Sequence, residues 1–236
     1  MTNSEIVDHI LEDLQNASVS KHNTLGVPGF KTEMKRLGVS ANHLRKIEDK
    51  WIKVLHDFSP GQWIDLCIEL THIGIFESQL LAYELLWKNK KALKNLNQRQ
   101  IILLGNHLDN WASVDSYSLM IAGWHWREGT LPDSQILNWL KSENRWFRRV
   151  AVICTIPLNL RSRGGYGDTK KTLMICEQVI NDRDKLVVKA LSWALRELSK
   201  RDRTAVENFS QQNRERLHSL VFREVSAKLE TGRKNG

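Results

Sequence analysis

The spacing of apolar side chains constrains this chain most: wherever it is regular, it has the 3.6-residue period of a helix. Ile6, Ile10, Leu11 and Leu14 share one helical face. Leu44, Ile47, Trp51, Ile52 and Leu55 repeat the pattern behind Ser40, a residue type that caps helix starts. Ser59-Pro60, a cap followed by a helix-opening proline, leads into Trp63, Ile64, Cys67 and Leu70. Further helices are predicted over Phe76–Trp87, behind Asn97 over Ile101–Leu108, and behind Pro132-Asp133 over Ile136–Leu140. The series continues over Trp146–Leu158, Leu173–Ile180, Leu186–Leu198 and Leu217–Leu229. Three of the four prolines stand where a helix would begin, and Pro157 is expected to end or kink its helix. No run of alternating β-branched residues competes with this reading.

About a dozen helices this short cannot each bury an apolar face alone, so they must stack. A weak internal repeat favours a solenoid over a compact bundle. Trp146-Phe-Arg-Arg-Val-Ala-Val-Ile-Cys aligns with Leu186-Val-Val-Lys-Ala-Leu-Ser-Trp-Ala, which puts Arg149 on Lys189, 40 residues later. A period near 40 matches two-helix HEAT or armadillo units. The stretch Trp111-Ala-Ser-Val-Asp115 adds a unit 34 residues before Arg149. Asp115, Arg149 and Lys189 are therefore expected at equivalent positions on successive inner helices, lining one concave groove. The expected fold is an all-α, HEAT-like helical-repeat solenoid with a concave basic face, a single domain over residues 1–236.

Charge is unevenly spread. Residues 1–140 hold 14 Lys/Arg against 16 Asp/Glu, a net of −2; residues 141–236 hold 21 against 11, a net of +10. That asymmetry points to a polyanionic partner. The acidic, polar start lacks the features of a secretion signal, and no apolar run is long enough to cross a membrane. Cys67, Cys154 and Cys176 form no CxxC and are odd in number, as in a reducing compartment, with buried packing as the expected role of each. A cytoplasmic monomer is expected. There is no HExxH and no Cys/His cluster, and the Gly164-Gly165-Tyr166-Gly167 run lacks the Lys-Ser/Thr of a P-loop. Neither a metal nor a cofactor is expected.

Three groups of residues can carry chemistry. Trp111 and Asp115, four apart, share a helix face, although an Asp or Ser113 here can equally serve as a helix cap. Lys189, Trp193 and Arg196 lie on one face, as an aromatic flanked by cations facing nucleic acid, or as a buried Trp with snorkelling neighbours. Arg145, Arg148 and Arg149 share a face, and Arg161 and Arg163 enter the glycine-rich connection, read as a flexible basic loop able to follow a phosphate backbone. The nine tryptophans are mostly at helix-periodic apolar positions, so their number is not itself a sign of DNA binding.

Three blocks in this order, Asp109-Asn-Trp111-Ala-Ser-Val-Asp115, Asn144-Arg-Trp146-Phe-Arg-Arg149 and Lys189-Ala-Leu-Ser-Trp193-Ala-Leu-Arg196-Glu, resemble the AlkD-type DNA alkylation repair family, the HEAT-like-repeat DNA glycosylases. Leu37-Gly-Val-Ser and Leu44-Arg-Lys resemble its early helices, and the likeness runs over roughly residues 28–200. The resemblance implies duplex DNA containing alkylated bases, held in a concave face, and excision of N3- and N7-alkylated purines. It maps the catalytic carboxylate onto Asp115, the wall tryptophans onto Trp111 and Trp193, and DNA contacts onto Arg149 and Arg196; Arg148, Arg163 and Lys189 join them as basic neighbours. An N3- or N7-alkylated purine is cationic and leaves without prior protonation. A fixed carboxylate can then stabilise the sugar oxocarbenium, and Trp faces attract the cation by ~0.5–2 kcal/mol. Such chemistry needs no metal and no deep base-flipping pocket.

Asn110 replaces a second Trp common in the family. Where an aromatic, often Tyr, is expected near the N-terminus, the alignment gives Gly29 with Phe30 beside it, and the Arg161–Asp168 connection is long. The alternative reading is a HEAT-like binder of damaged or branched DNA without turnover, and a third is a protein-interaction scaffold with little affinity for DNA.

Overall fold

A computed structural model of the chain describes residues 2–18 and 31–234. The regular elements among the described residues are all helices, with no strand; Ser18 with Val39 and Lys35 with Ile75 form isolated bridges. The all-α expectation holds. Pro28, Gly29 and Phe30 lie outside the described residues. The chain packs as two compact units, Met1–Ile121 and Ala122–Gly236.

In the first unit, α1 (Asn3–Asn16) starts with a capping box between Thr2 and Glu5 and buries Ile6, Val7, Ile10 and Leu14. Ser40 caps α2 (Ala41–Val54), its hydroxyl accepting the His43 N–H. Ser59 and Gln62 form the capping box of α3 (Pro60–His72), whose proline occupies the first turn, where its missing N–H costs nothing. α4 (Phe76–Lys88) packs on α3 and also touches α2 and α7 (Trp111–Tyr117). Asn89 and Asn97 cap the short α5 (Lys90–Asn95) and α6 (Gln98–Leu104). The segment entering α2 is pinned by buried Glu77, whose carboxylate accepts the Leu37 N–H at 3.0 Å and the Gly38 N–H at 2.8 Å. Gly38 turns there at φ +77°, which a side chain would disfavour.

The second unit shows the repeat directly. It contains α8 (Gly123–Arg127), α9 (Asp133–Leu140), α10 (Arg145–Ile153), α11 (Ile156–Asn159), α12 (Thr169–Gln178), α13 (Lys185–Leu198), α14 (Arg203–Gln212) and α15 (Ser219–Thr231). α9 pairs with α10, α12 with α13 and α14 with α15, and α13 packs against both α10 and α15. The second helices of the pairs begin at Arg145, Lys185 and Ser219, so the steps are 40 and 34 residues. Each buries apolar side chains, for example Val150, Leu191 and Val225, at roughly 1.5–3 kcal/mol apiece.

Two expectations change. The helix read over Trp146–Leu158 is broken at Cys154-Thr155, where the Thr155 hydroxyl donates to Val152 O at 2.8 Å and Pro157 sits in the first turn of α11. The Arg161–Asp168 connection is not a flexible loop. Arg127 Nη1 donates to Pro157 O at 3.2 Å and Arg163 O at 2.6 Å, while Arg201 donates to Asn159 O at 2.7 Å and to Gly165 O. At Gly165 a Cβ would lie 2.7 Å from Pro157 O and Leu160 N, so only glycine fits this close backbone approach. The glycines here permit packing of backbone on backbone.

Candidate functional site

The start of α7 is built by two residues that precede it. Asn110, fully buried, accepts the Ser113 N–H at 2.9 Å and donates to Asp109 Oδ1 and Ser113 Oγ. Asp109 in turn accepts Thr32 Oγ1–H at 2.8 Å and the Glu33 N–H at 2.5 Å, tying the segment before α2 to this helix end. Asn110 is therefore the cap, and the capping alternatives for Ser113 and Asp115 fall away. Asp115 lies in the body of α7, half-buried, one turn beyond Trp111. Trp111 is 37% exposed, one of three large apolar side chains so open among the described residues. Behind them the helix is rigidly seated: Tyr117 OH donates to Ile101 O at 2.8 Å, and its ring fills the space left by the missing side chain of Gly105. A π-helical turn, Ser118–Ala122, follows directly, with Ser118 Oγ donating to Val114 O at 2.7 Å.

The arginines of α10 meet a different fate. Arg145 stands 3.6 Å from Asp184, the residue that caps α13. Arg148 donates to Asp182 Oδ2 at 2.7 Å and to the carbonyls of Ser142 and Glu143. Arg149 is 6% exposed, and its Nη1 donates to Leu186 O at 2.5 Å. All three reach the segment that begins α13. They share a face, as their spacing predicts, and Arg148 and Arg149 bind protein groups: a guanidinium in such a setting is held where carboxylates and carbonyls satisfy its donors.

On α13 the expected Lys189–Trp193–Arg196 face exists, with three distinct environments. Lys189 is exposed, Trp193 is half-buried, and Arg196 is drawn inside. Arg196 Nε donates to Ser192 Oγ at 3.2 Å and lies 3.7 Å from Glu224, which also accepts the Ser192 hydroxyl at 2.6 Å. Burial pulls the Arg196 pKa below its ordinary value, with Glu224 and Glu197 opposing. Arg196 thus belongs to a network with Ser192 and Glu224. Arg163 is half-buried in its connection and its carbonyl accepts from Arg127. The sequence reading missed Arg223. It is the fifth residue of α15, as Arg149 is of α10 and Lys189 of α13, and it is exposed. The second step, 34 residues instead of 40, hid it.

Cys67, Cys154 and Cys176 are buried, and burial pushes the Cys67 and Cys176 thiols far up. Among the described residues no cluster of His, Cys, Asp or Glu is arranged to hold a metal, and no helix is long and apolar enough to cross a membrane.

Comparison with known proteins agrees with this architecture. A family model described as DNA alkylation repair enzyme matches residues 8–229. Among solved structures, a predicted DNA alkylation repair enzyme from Enterococcus faecalis is similar in fold, with a TM-score of 0.65 over 97% of this chain and 94% of that one at 16% identity. No curated protein matches the chain.

Proposed function

The chain belongs to the DNA alkylation repair enzyme family, and within it we propose a DNA glycosylase that excises cationic N3- and N7-alkylated purines from duplex DNA. The observation that carries this reading is the pair on α7: a Trp left 37% exposed, one turn before a half-buried carboxylate in the body of the helix, whose start Asn110 caps. An exposed indole offers a π face to a cationic nucleotide, and a carboxylate beside the deoxyribose favours charge that develops only as the glycosidic bond breaks. The bonding electrons leave with the purine and neutralise its ring. Water adds to the sugar C1′, oriented by Asp115, and its proton passes to solvent. No acid is needed for the leaving group.

In this reading Asp115 and Trp111 act on the nucleotide; in the second unit, Trp193 is the further aromatic assigned to the substrate, and Lys189 and Arg163 contact phosphates. Arg148, Arg149 and Arg196 are positioning residues that hold α10, α13 and α15 in register. The test is release of 3-methyladenine and 7-methylguanine from alkylated duplex DNA by the wild type and by Asp115→Asn. Wild-type release no faster than that of the variant overturns the catalytic assignment. Tight binding by the wild type without release favours the non-catalytic binder.

A further inference from the structure

The first unit holds a crevice of about 370 Å³ between the end of α2, the start of α3 and the α4–α5 junction. His56, Trp63, Lys88, Asn89, Lys90 and Lys91 line it together with Ile52, and no carboxylate does. The nearest acids engage from outside the lining: Asp57 lies 3.1 Å from His56, and Glu48 is 3.8 Å from Lys88. Three lysines thus line it in the half of the chain that is net acidic, the Lys90 ammonium lying 3.1 Å over the Trp87 ring.

The second observation is independent of charge. Trp63 is 2% exposed, and its indole Nε1–H has no hydrogen-bond acceptor in the protein. A buried donor without an acceptor is costly, and native interiors rarely tolerate one. Here the side chain carrying it borders a crevice whose other polar members are mostly cations. The missing group is therefore an anionic acceptor. The volume exceeds that of a bare halide and admits an oxyanion with its ester substituent. Lysines without an arginine fork suit phosphate, which they bind as point charges from several directions.

We propose that this crevice binds a phosphate group, whose oxygens accept from Trp63 Nε1 and from the ammonium groups of Lys88, Lys90 and Lys91. The site is separate from the α7 pair and does not rest on base excision. Two sources of the same chemistry are open to it: the backbone of DNA and a soluble phosphate ester.

The test reads the indole N–H resonances of the 15N-labelled protein, with Trp63 assigned by the signal lost in Trp63→Phe. Titration with inorganic phosphate at constant ionic strength is expected to move the Trp63 signal saturably. In Lys90→Ala/Lys91→Ala, whose fold is checked by the remaining indole signals, phosphate binding is expected to weaken roughly tenfold. A Trp63 signal unmoved by both phosphate and lesion-free duplex overturns the proposal, because the donor is then met by water or by nothing. If the duplex also moves the signal, and the double variant lowers the salt dependence of DNA binding by about 0.9 per lost contact, the ligand is the DNA backbone. If only phosphate and a mononucleotide move it, the ligand is a soluble ester. Base release by the unmodified protein is measured separately, so failure here leaves the catalytic reading untouched.

Discussion

α7 and α10 treat their polar side chains in opposite ways. On α7, Asn110 and Asp109 complete the helix start, with Trp111 37% exposed and Asp115 in the body of the helix. On α10 two arginines are committed inward: Arg148 and Arg149 reach the first turn of α13 or the residues just before it, while Arg145 stands exposed 3.6 Å from Asp184. The basic helix, which looks more like a DNA-binding element in sequence, is the more structural of the two. Charge counted along a chain is not charge available to a ligand. Availability depends on whether a neighbouring helix presents carboxylates and carbonyl groups within reach.

The sharpest test of this contrast is the largest in effect. Asp115→Asn is expected to reduce base release by about 10²–10³-fold, with the fold retained in a thermal melt. A variant that unfolds instead would make Asp115 a structural residue like those of α10. Arg148→Ala should do the reverse. It strips Asp182 of its guanidinium partner and releases two carbonyls, so a loss of about 2 kcal/mol in urea unfolding is expected, with the salt dependence of DNA binding unaltered. A change in that dependence without loss of stability would return Arg148 to the DNA face. Lys189→Ala separates exposed from committed cations: stability within about 0.5 kcal/mol of the wild type, and a salt slope for DNA binding reduced by about 0.9.

The smallest effect concerns Glu48. Burial, then Glu84, raises its pKa above the ordinary carboxylate value, with Lys88 pulling the other way. The folded state therefore holds this proton more tightly than the unfolded chain does. Its contribution to stability is complete below the ordinary value and is lost as pH rises through the raised one. Glu48→Gln, which never ionises, should gain less than about 1 kcal/mol at pH 7 and should lose that pH dependence in denaturation curves.

Much of the helical plan was legible because it is local. Ser40, Ser59 and Asn97 cap helices where their chemistry says they should, and Ile6, Ile10 and Leu14 are buried where a 3.6-residue period puts them. The elements that escaped were those with weak periodic signal. α5 reads Lys-Lys-Ala-Leu-Lys-Asn, and α14 has few apolar residues in a polar stretch. The break at Cys154-Thr155 escaped for another reason: the apolar run continues unbroken through it, and only the threonine hydroxyl and Pro157 mark the turn. At the candidate site, the Trp111–Asp115 pairing followed from helical spacing, whereas the capping role of Asn110 was obscured by two other residues able to do the same work.

By itself the amino-acid sequence determined the helical class, most helix starts, the repeat of about 40 residues in the second unit and the family to which the chain belongs. All of these depend on contacts within a turn or on order along the chain. The tertiary structure alone decided which of many similar cations stay open. Arg149 and Lys189 occupy matched positions on α10 and α13, yet one is buried against Leu186 O and the other faces outward. The difference lies in what the next helix places opposite each side chain, a long-range fact that no local spacing encodes.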